Sequence, residues 1–156
     1  MNITVLAVGT KMPQWVDHAV RDYSKRFGRE IQFQLKEIKP EKRGAGVNAE
    51  QAMAAEEQRI VAAIPAHSYL IVLDERGKAP TSMELADSLK KWQQQGDNLC
   101  FIIGGADGMT TYLKQRANML MRLSSLTLPH GMVRVLLTEQ LYRAQSILHN
   151  HPYHRE

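Results

Sequence analysis

Short apolar runs rich in β-branched residues alternate along this chain with longer segments whose apolar positions recur every three or four residues. Ile3-Thr4-Val5-Leu6-Ala7-Val8, closed by Gly9, reads as a buried strand, and so do Tyr69-Leu70-Ile71-Val72-Leu73 and Leu99-Cys100-Phe101-Ile102-Ile103. Ile31 to Ile38 alternates Ile31, Phe33 and Leu35 with Gln32, Gln34 and Lys36, the pattern of a strand with one wet face. A fifth strand is expected near Leu123-Ser124-Ser125-Leu126-Thr127-Leu128. Strands separated by helices need crossover connections. The expected fold class is therefore α/β, a mostly parallel sheet flanked by helices on both faces.

The helical segments carry their own punctuation. Pro13 suits the first turn of a helix with the stripe Val16, Val20, Tyr23 and Phe27, and Gly28 stands where a C-terminal cap belongs. Asn48 with Gln51, and Thr81 with Glu84, are capping boxes that open helices running to Ile64 and Gln95. A short helix over Tyr112 to Leu120 and a long one from Met132 to His149 complete the set. Residues 39–47, with a proline, two glycines and no usable period, read as a loop, as does Asp74 to Pro80. With 156 residues and no repeat, low-complexity tract or linker, the chain is expected to be a single domain, 1–156.

Composition excludes several classes. At 44% hydrophobic and 23% charged residues the chain is globular rather than disordered. Its single cysteine, Cys100, has no intramolecular partner and sits in an apolar run, so a buried inert thiol is expected rather than a nucleophile. No apolar stretch approaches the roughly 20 residues of a membrane helix, and Met1-Asn2-Ile3-Thr4 lacks a basic leader region. A cytoplasmic protein is expected. A formal net charge of +4 permits a polyanionic partner without requiring one.

In parallel α/β sheets, ligands bind beyond the carboxyl ends of the strands. Three such ends carry unusual residues: Leu73-Asp74, Gly104-Gly105 and Leu128-Pro129-His130. The glycines allow close backbone approach and leave N–H groups for a ligand, yet Gly-Gly-x-x-Gly matches neither a dinucleotide fingerprint nor a P-loop. A glycine turn that only packs a helix explains it equally well. The terminal His149-Asn150-His151-Pro152-Tyr153-His154-Arg155-Glu156 combines a stiffening proline, a stacking ring, a near-neutral titrating group and a forked cation. That set suits an aromatic, anionic ligand such as an RNA base, although chain ends are commonly frayed. No carboxylate pair or further cysteine completes a metal site, so none is expected.

Arg143 lies on an apolar stripe of the last helix, with Glu139 one turn before it in the favourable order for a helical ion pair. A structural pair at a subunit contact and a cleft cation are both open. Basic residues cluster at Lys36, Lys39, Lys42 and Arg43, with Lys25, Arg26 and Arg29 upstream, the mobile cationic surface that phosphate contacts demand. Interleaved Glu37 and Glu41 also fit an ordinary solvated loop.

Several motifs together carry a family resemblance. Val-Gly-Thr-Lys-Met-Pro at residues 8–13, Lys-Arg-Gly at 42–44, Leu-Asp at 73–74, Gly-Lys at 77–78 and Ile-Gly-Gly at 103–105 resemble the RlmH family. So do Leu-Thr-Leu-Pro-His at 126–130, Glu-Gln-Leu-Tyr-Arg-Ala at 139–144 and the terminal Asn-His-Pro-Tyr-His-Arg-Glu, in order over essentially the whole chain. The resemblance implies a SPOUT-type α/β methyltransferase whose C-terminal part, roughly residues 70–156, forms a deep trefoil knot, an exception to unknotted topology. It implies a homodimer that binds S-adenosylmethionine and methylates N3 of a pseudouridine in helix 69 of 23S ribosomal RNA within the ribosome. Carried onto this chain, the cofactor positions are Leu73, Gly104, Leu123, Ser124, Ser125, Leu126, Thr127 and Leu128. The catalytic surroundings are His130, Arg143, Tyr153, His154 and Arg155, and the RNA-facing cations are Lys25, Arg26, Lys39, Lys42 and Arg43.

Two other classes compete. A non-catalytic ribosome- or RNA-binding protein would use the basic loop and tail alone. A nucleotide-dependent oxidoreductase is disfavoured, because the glycines follow the fourth strand and no acidic residue stands in the usual ribose-binding context.

Overall fold

The computed structural model describes residues 1–155, so Glu156, the last residue of the terminal motif, lies outside the described residues. Five strands alternate with helices: β1 Asn2–Val8, α1 Gln14–Ser24, β2 Gln32–Ile38, α2 Ala49–Ala63, β3 Ser68–Lys78, α3 Ser82–Gln95, β4 Asn98–Ile103, α4 Thr111–Arg116, β5 Met119–Met121 and α5 His130–Leu148. A 3-10 turn, Pro152–Arg155, follows. The strands form one sheet in the order β2-β1-β4-β3-β5, and every neighbouring pair is parallel.

Alternation along the strands sorts the core into two layers. Ile3, Val5, Ala7, Phe101 and Ile103 pack with Leu85, Leu89 and Trp92 of α3 and Leu137, Leu141 and Ala144 of α5. Leu6, Val8, Cys100 and Ile102 face the other way, against Ile60 of α2 and Leu113 of α4. β1 and β4 are buried on both sides, which is why they read as continuous apolar runs. Burial pushes the Cys100 thiol up to about 12, in keeping with an inert thiol. The capping boxes form as expected: Gln51 N–H donates to Asn48 Oδ1 at 2.8 Å and Glu84 N–H to Thr81 Oγ1 at 3.1 Å.

The structure corrects several boundaries. α1 ends at Ser24 with Lys25 as its cap, so Phe27 leaves the helical stripe and stacks on Phe33 with ring centroids 5.3 Å apart. α4 ends at Arg116, well before Leu120. The fifth strand is Met119–Met121, not 123–128. Asn118 sets that register early, its N–H donating to Leu70 O at 2.8 Å and its Oδ1 accepting the Leu70 N–H at 2.7 Å. α5 begins at His130, with Pro129 at its N-cap, two residues before Met132.

β3 also runs past Leu73 to Lys78, through the segment expected as loop. Met121 pairs with both Leu73 and Lys78, so residues 74–77 arch over it. The Arg122 N–H then donates to Lys78 O at 2.9 Å. At Gly77 a Cβ would stand 2.5 Å from Met121 N and 2.6 Å from Leu120 C, backbone atoms that cannot give way. Only glycine admits so close a crossing.

Candidate functional site

Because the strands are parallel, their carboxyl ends share one edge of the sheet. Gly9, Ile38, Leu73-Asp74, Gly104 and Met121 stand there. α5 starts at this edge, and its first residue enters a polar network. His130 Nδ1 lies 3.1 Å from Gly104 O, while Arg134 Nε donates to His130 Nε2 at 2.9 Å. Arg134 is 1% exposed and also donates to Glu37 Oε2 at 2.7 Å and Gly9 O at 3.0 Å. A guanidinium only donates, so Nε2 must accept and Nδ1 carries the proton toward Gly104. Burial first, then the Arg134 charge, lowers the His130 pKa from its ordinary value. The ring is a neutral connector between α5 and β4, with both nitrogens used.

Beyond β4, Gly104–Gly108 forms a turn closed by the Gly108 N–H on Gly105 O at 3.1 Å. Leu73 and Gly104 are partly buried at the edge. Residues 123–128 pass from β5 toward α5 as irregular chain, and among the described residues no backbone group there pairs with another backbone group. Leu123 and Leu128 are partly buried, whereas Leu126 is 76% exposed. Ser124 Oγ accepts the Leu126 N–H at 2.9 Å. Apolar side chains next to backbone groups that no other backbone group engages suit an aromatic base with polar edges, so these residues fit an adenosyl ligand. At Asp74, burial works against ionisation, but the Arg76 N–H and Lys114, 3.0 Å away, outweigh it and lower the pKa.

A second cluster lies from the middle of α5 toward its carboxyl end. Glu139 Oε1 accepts Arg143 Nε at 3.0 Å, Arg143 Nη2 at 2.8 Å and the Tyr153 hydroxyl at 2.8 Å. The Glu139–Arg143 helical pair expected from spacing is thus present, and it docks the tail. The Arg143 guanidinium lies 4.7 Å from the Tyr153 ring centre, and Tyr142 approaches the same ring at 4.8 Å. Burial, then hydrogen bonding with Tyr23 and Glu139, raises the Tyr153 pKa, so the phenol keeps its proton. His154 Nδ1 is buried with no partner among the described residues. Arg155 is exposed.

Arg143 lies thirteen helical steps beyond His130, a span of roughly 20 Å at helical rise. One chain therefore does not bring His130 and Gly104 together with Arg143, Tyr153, His154 and Arg155. The basic residues divide in the same way. Lys25 caps α1 and Arg26 follows it, paired to Asp22 at 2.9 Å and 5.9 Å from the Tyr153 ring centre. Lys39 and Lys42 are exposed in the loop after β2, near the turn after β4. Arg43 is tied down by Glu56, Asp107 and the Glu41 carbonyl, and hydrogen bonds to Glu56 first and Asp107 second raise its pKa.

Arg134, Glu37 and Glu56 were not legible as functional positions in the sequence. The one available signal was the four-residue spacing of His130 and Arg134, which puts them on one helix face. Among the described residues no His, Cys, Asp or Glu cluster could hold a metal ion, and no helix is long and apolar enough to cross a membrane.

Comparison with known proteins bears directly on this arrangement. A family described as "Predicted SPOUT methyltransferase" matches residues 1–154. The chain is 78% identical, over the full length of both chains, to the ribosomal RNA large subunit methyltransferase H of Neisseria meningitidis serogroup C. It is 64% identical to the protein of that name from Chromobacterium violaceum and 62% to that from Laribacter hongkongensis, again over all of each chain.

Proposed function

The chain belongs to the SPOUT methyltransferases, as the RlmH resemblance implied, and on that premise we propose that it methylates N3 of a pseudouridine in helix 69 of 23S ribosomal RNA. The fold of this family carries a trefoil knot, and the arch of residues 74–77 over Met121 fits such a crossing. The methyl donor of the family is S-adenosylmethionine. Leu73, Gly104 and the segment Leu123 to Leu128 would hold it, with apolar side chains against the base and backbone groups on its polar edges. When bound, it supplies a sulfonium methyl that is already activated, so the protein's share is alignment and proton handling.

An imide nitrogen becomes nucleophilic on losing its proton. Both nitrogens of His130 are engaged, so its role is to fix Gly104 and the start of α5. That leaves His154, whose Nδ1 has no partner among the described residues, as the histidine proposed to accept the proton. Arg143 and Arg155 stabilise negative charge developing on the base carbonyls, and Tyr153 offers its ring to the base. Lys25, Arg26, Lys39 and Lys42 face the phosphates.

The separation of roughly 20 Å along α5 carries one further part of the reading. The tail of one chain is too far from its own cofactor loops, so a homodimer is proposed in which a second copy brings its tail to them. The substrate is the RNA within the ribosome, and the site of action is the cytoplasm.

The observation that carries the reading is the unpaired, leucine-bearing segment 123–128 beside the Gly104 turn at the carboxyl edge. Calorimetric titration tests it with two ligands. Saturable binding of S-adenosylmethionine and none of NAD is expected. Binding of neither would leave a non-catalytic RNA-binding protein as the better account.

A further inference from the structure

The turn that follows β4 is held from two sides. On one, His130 meets Gly104 O at 3.1 Å. On the other, Arg43 reaches across from the basic loop to Asp107 Oδ2, with Nε at 3.1 Å and Nη2 at 2.9 Å. The same guanidinium donates to Glu56 Oε2 at 2.6 Å, Glu56 Oε1 at 3.3 Å and Glu41 O at 2.8 Å. A guanidinium has five N–H donors in a rigid fork, and five bonds are made. None is left over for a phosphate.

The acceptors belong to the scaffold of the same turn. The Glu56 side chain is 3% exposed, and its Oε2 also takes the Glu41 N–H at 2.9 Å. A Cβ on Gly105 would stand 3.3 Å from Glu56 Oε1, so the carboxylate lies directly against the turn. The next residue of α2, Glu57, accepts the Thr110 hydroxyl at the start of α4. The segment 104–110 is thus tied to α2 at two points, at Asp107 through Arg43 and Glu56, and at Thr110 directly.

We infer that Arg43 is a positioning residue that locks the Gly104–Gly108 turn to the 39–47 loop, rather than the phosphate contact its place in a basic cluster implies. The inference rests on reading that turn as part of the S-adenosylmethionine site. Its consequence is mechanical coupling. Lys39 and Lys42 sit on the loop that Arg43 anchors, so RNA held there bears on the cofactor turn through the Arg43–Asp107 bond. Lysine cannot replace arginine in this role, because one ammonium does not span two carboxylates as a planar fork does.

Arg43→Gln strands the buried Glu56 carboxylate and can unfold the chain, so Asp107→Ala and Arg43→Lys are the decisive variants. Three readouts are taken on each: amide hydrogen exchange in the free protein, calorimetric titration with S-adenosylmethionine, and the salt dependence of ribosome binding. Faster exchange confined to 104–110 is expected, with cofactor binding weakened about tenfold, the scale of one charge-assisted hydrogen bond. The slope of log affinity against log salt should stay at its wild-type value, whereas Lys42→Gln should reduce it by about one contact. Unchanged exchange and cofactor affinity in both variants overturns the inference. Wild-type protein that binds no S-adenosylmethionine instead refutes the reading of the turn, and the cofactor role of Arg43 with it.

Discussion

Arg134 Nε donates to His130 Nε2 at 2.9 Å, and that bond fixes which nitrogen of the imidazole carries its proton. Nitrogen-15 NMR of the ring should show the Nδ1–H tautomer. The stability consequence has a definite sign. Burial and the Arg134 charge hold the folded pKa below 6.5, so between the two pKa values the unfolded chain binds a proton that the folded chain resists. The contribution is complete above 6.5 and is lost as the pH falls through and below it. Urea midpoints should fall on acidification in the wild type, and less steeply in His130→Asn.

Glu37 and Arg134 should respond unequally to removal. Arg134 is 1% exposed, whereas the Glu37 side chain is 39% exposed. Glu37→Ala leaves a buried cation without its counter-charge, at a cost of about 3 kcal/mol. Arg134→Met removes the cation and releases a carboxylate that water can solvate, so it should cost less. Urea denaturation of the two variants reads the difference directly.

Gly77 and Gly44 form a second contrasting pair. Alanine at 77 would place its Cβ 2.5 Å from Met121 N, at the crossing of β3 over β5. Gly77→Ala should cost about 3 kcal/mol or more, the upper range for overpacking. At Gly44 nothing lies within 4 Å of an added Cβ. Gly44→Ala should remain within about 0.5 kcal/mol of the wild type in the same denaturation assay.

What the sequence showed clearly was whatever depends on neighbours along the chain. The strands at Ile3–Val8 and Leu99–Ile103, both capping boxes and the Glu139–Arg143 pair are all local patterns, and all are present. The strand expected over 123–128 does not form there: Leu123, Leu126 and Leu128 do not keep the two-residue period that would put them on one face. Those leucines instead line an unpaired segment, with Leu126 left 76% exposed. Arg134 and Glu56 were missed for another reason. A charge within a helix reads as a wet face, and only the fold brings Glu37 to Arg134 across 97 residues or Arg43 to Asp107 across 64. The family motifs name the candidate site residues, but none of these long-range ties is legible from them.

The tail should separate binding from catalysis. Truncation after His151 removes the Tyr153 ring and its hydroxyl bond to Glu139 at 2.8 Å, yet touches none of the residues 73, 104 or 123–128. Affinity for S-adenosylmethionine should therefore be retained while methyl transfer to ribosomes is lost. Within the tail, Tyr153→Ala should raise KM through lost stacking of about 1–3 kcal/mol, and Arg155→Ala should act mainly on kcat. Full activity after truncation would assign the tail a purely structural role.

The most direct measurement is transfer of a labelled methyl group from S-adenosylmethionine to ribosomes that lack the modification, with the product nucleoside mapped by mass spectrometry. The account predicts one methyl per ribosome, on N3 of a pseudouridine in helix 69, dependent on the intact tail. Label that appears on another nucleotide, or no transfer by a protein that binds the cofactor, would contradict it.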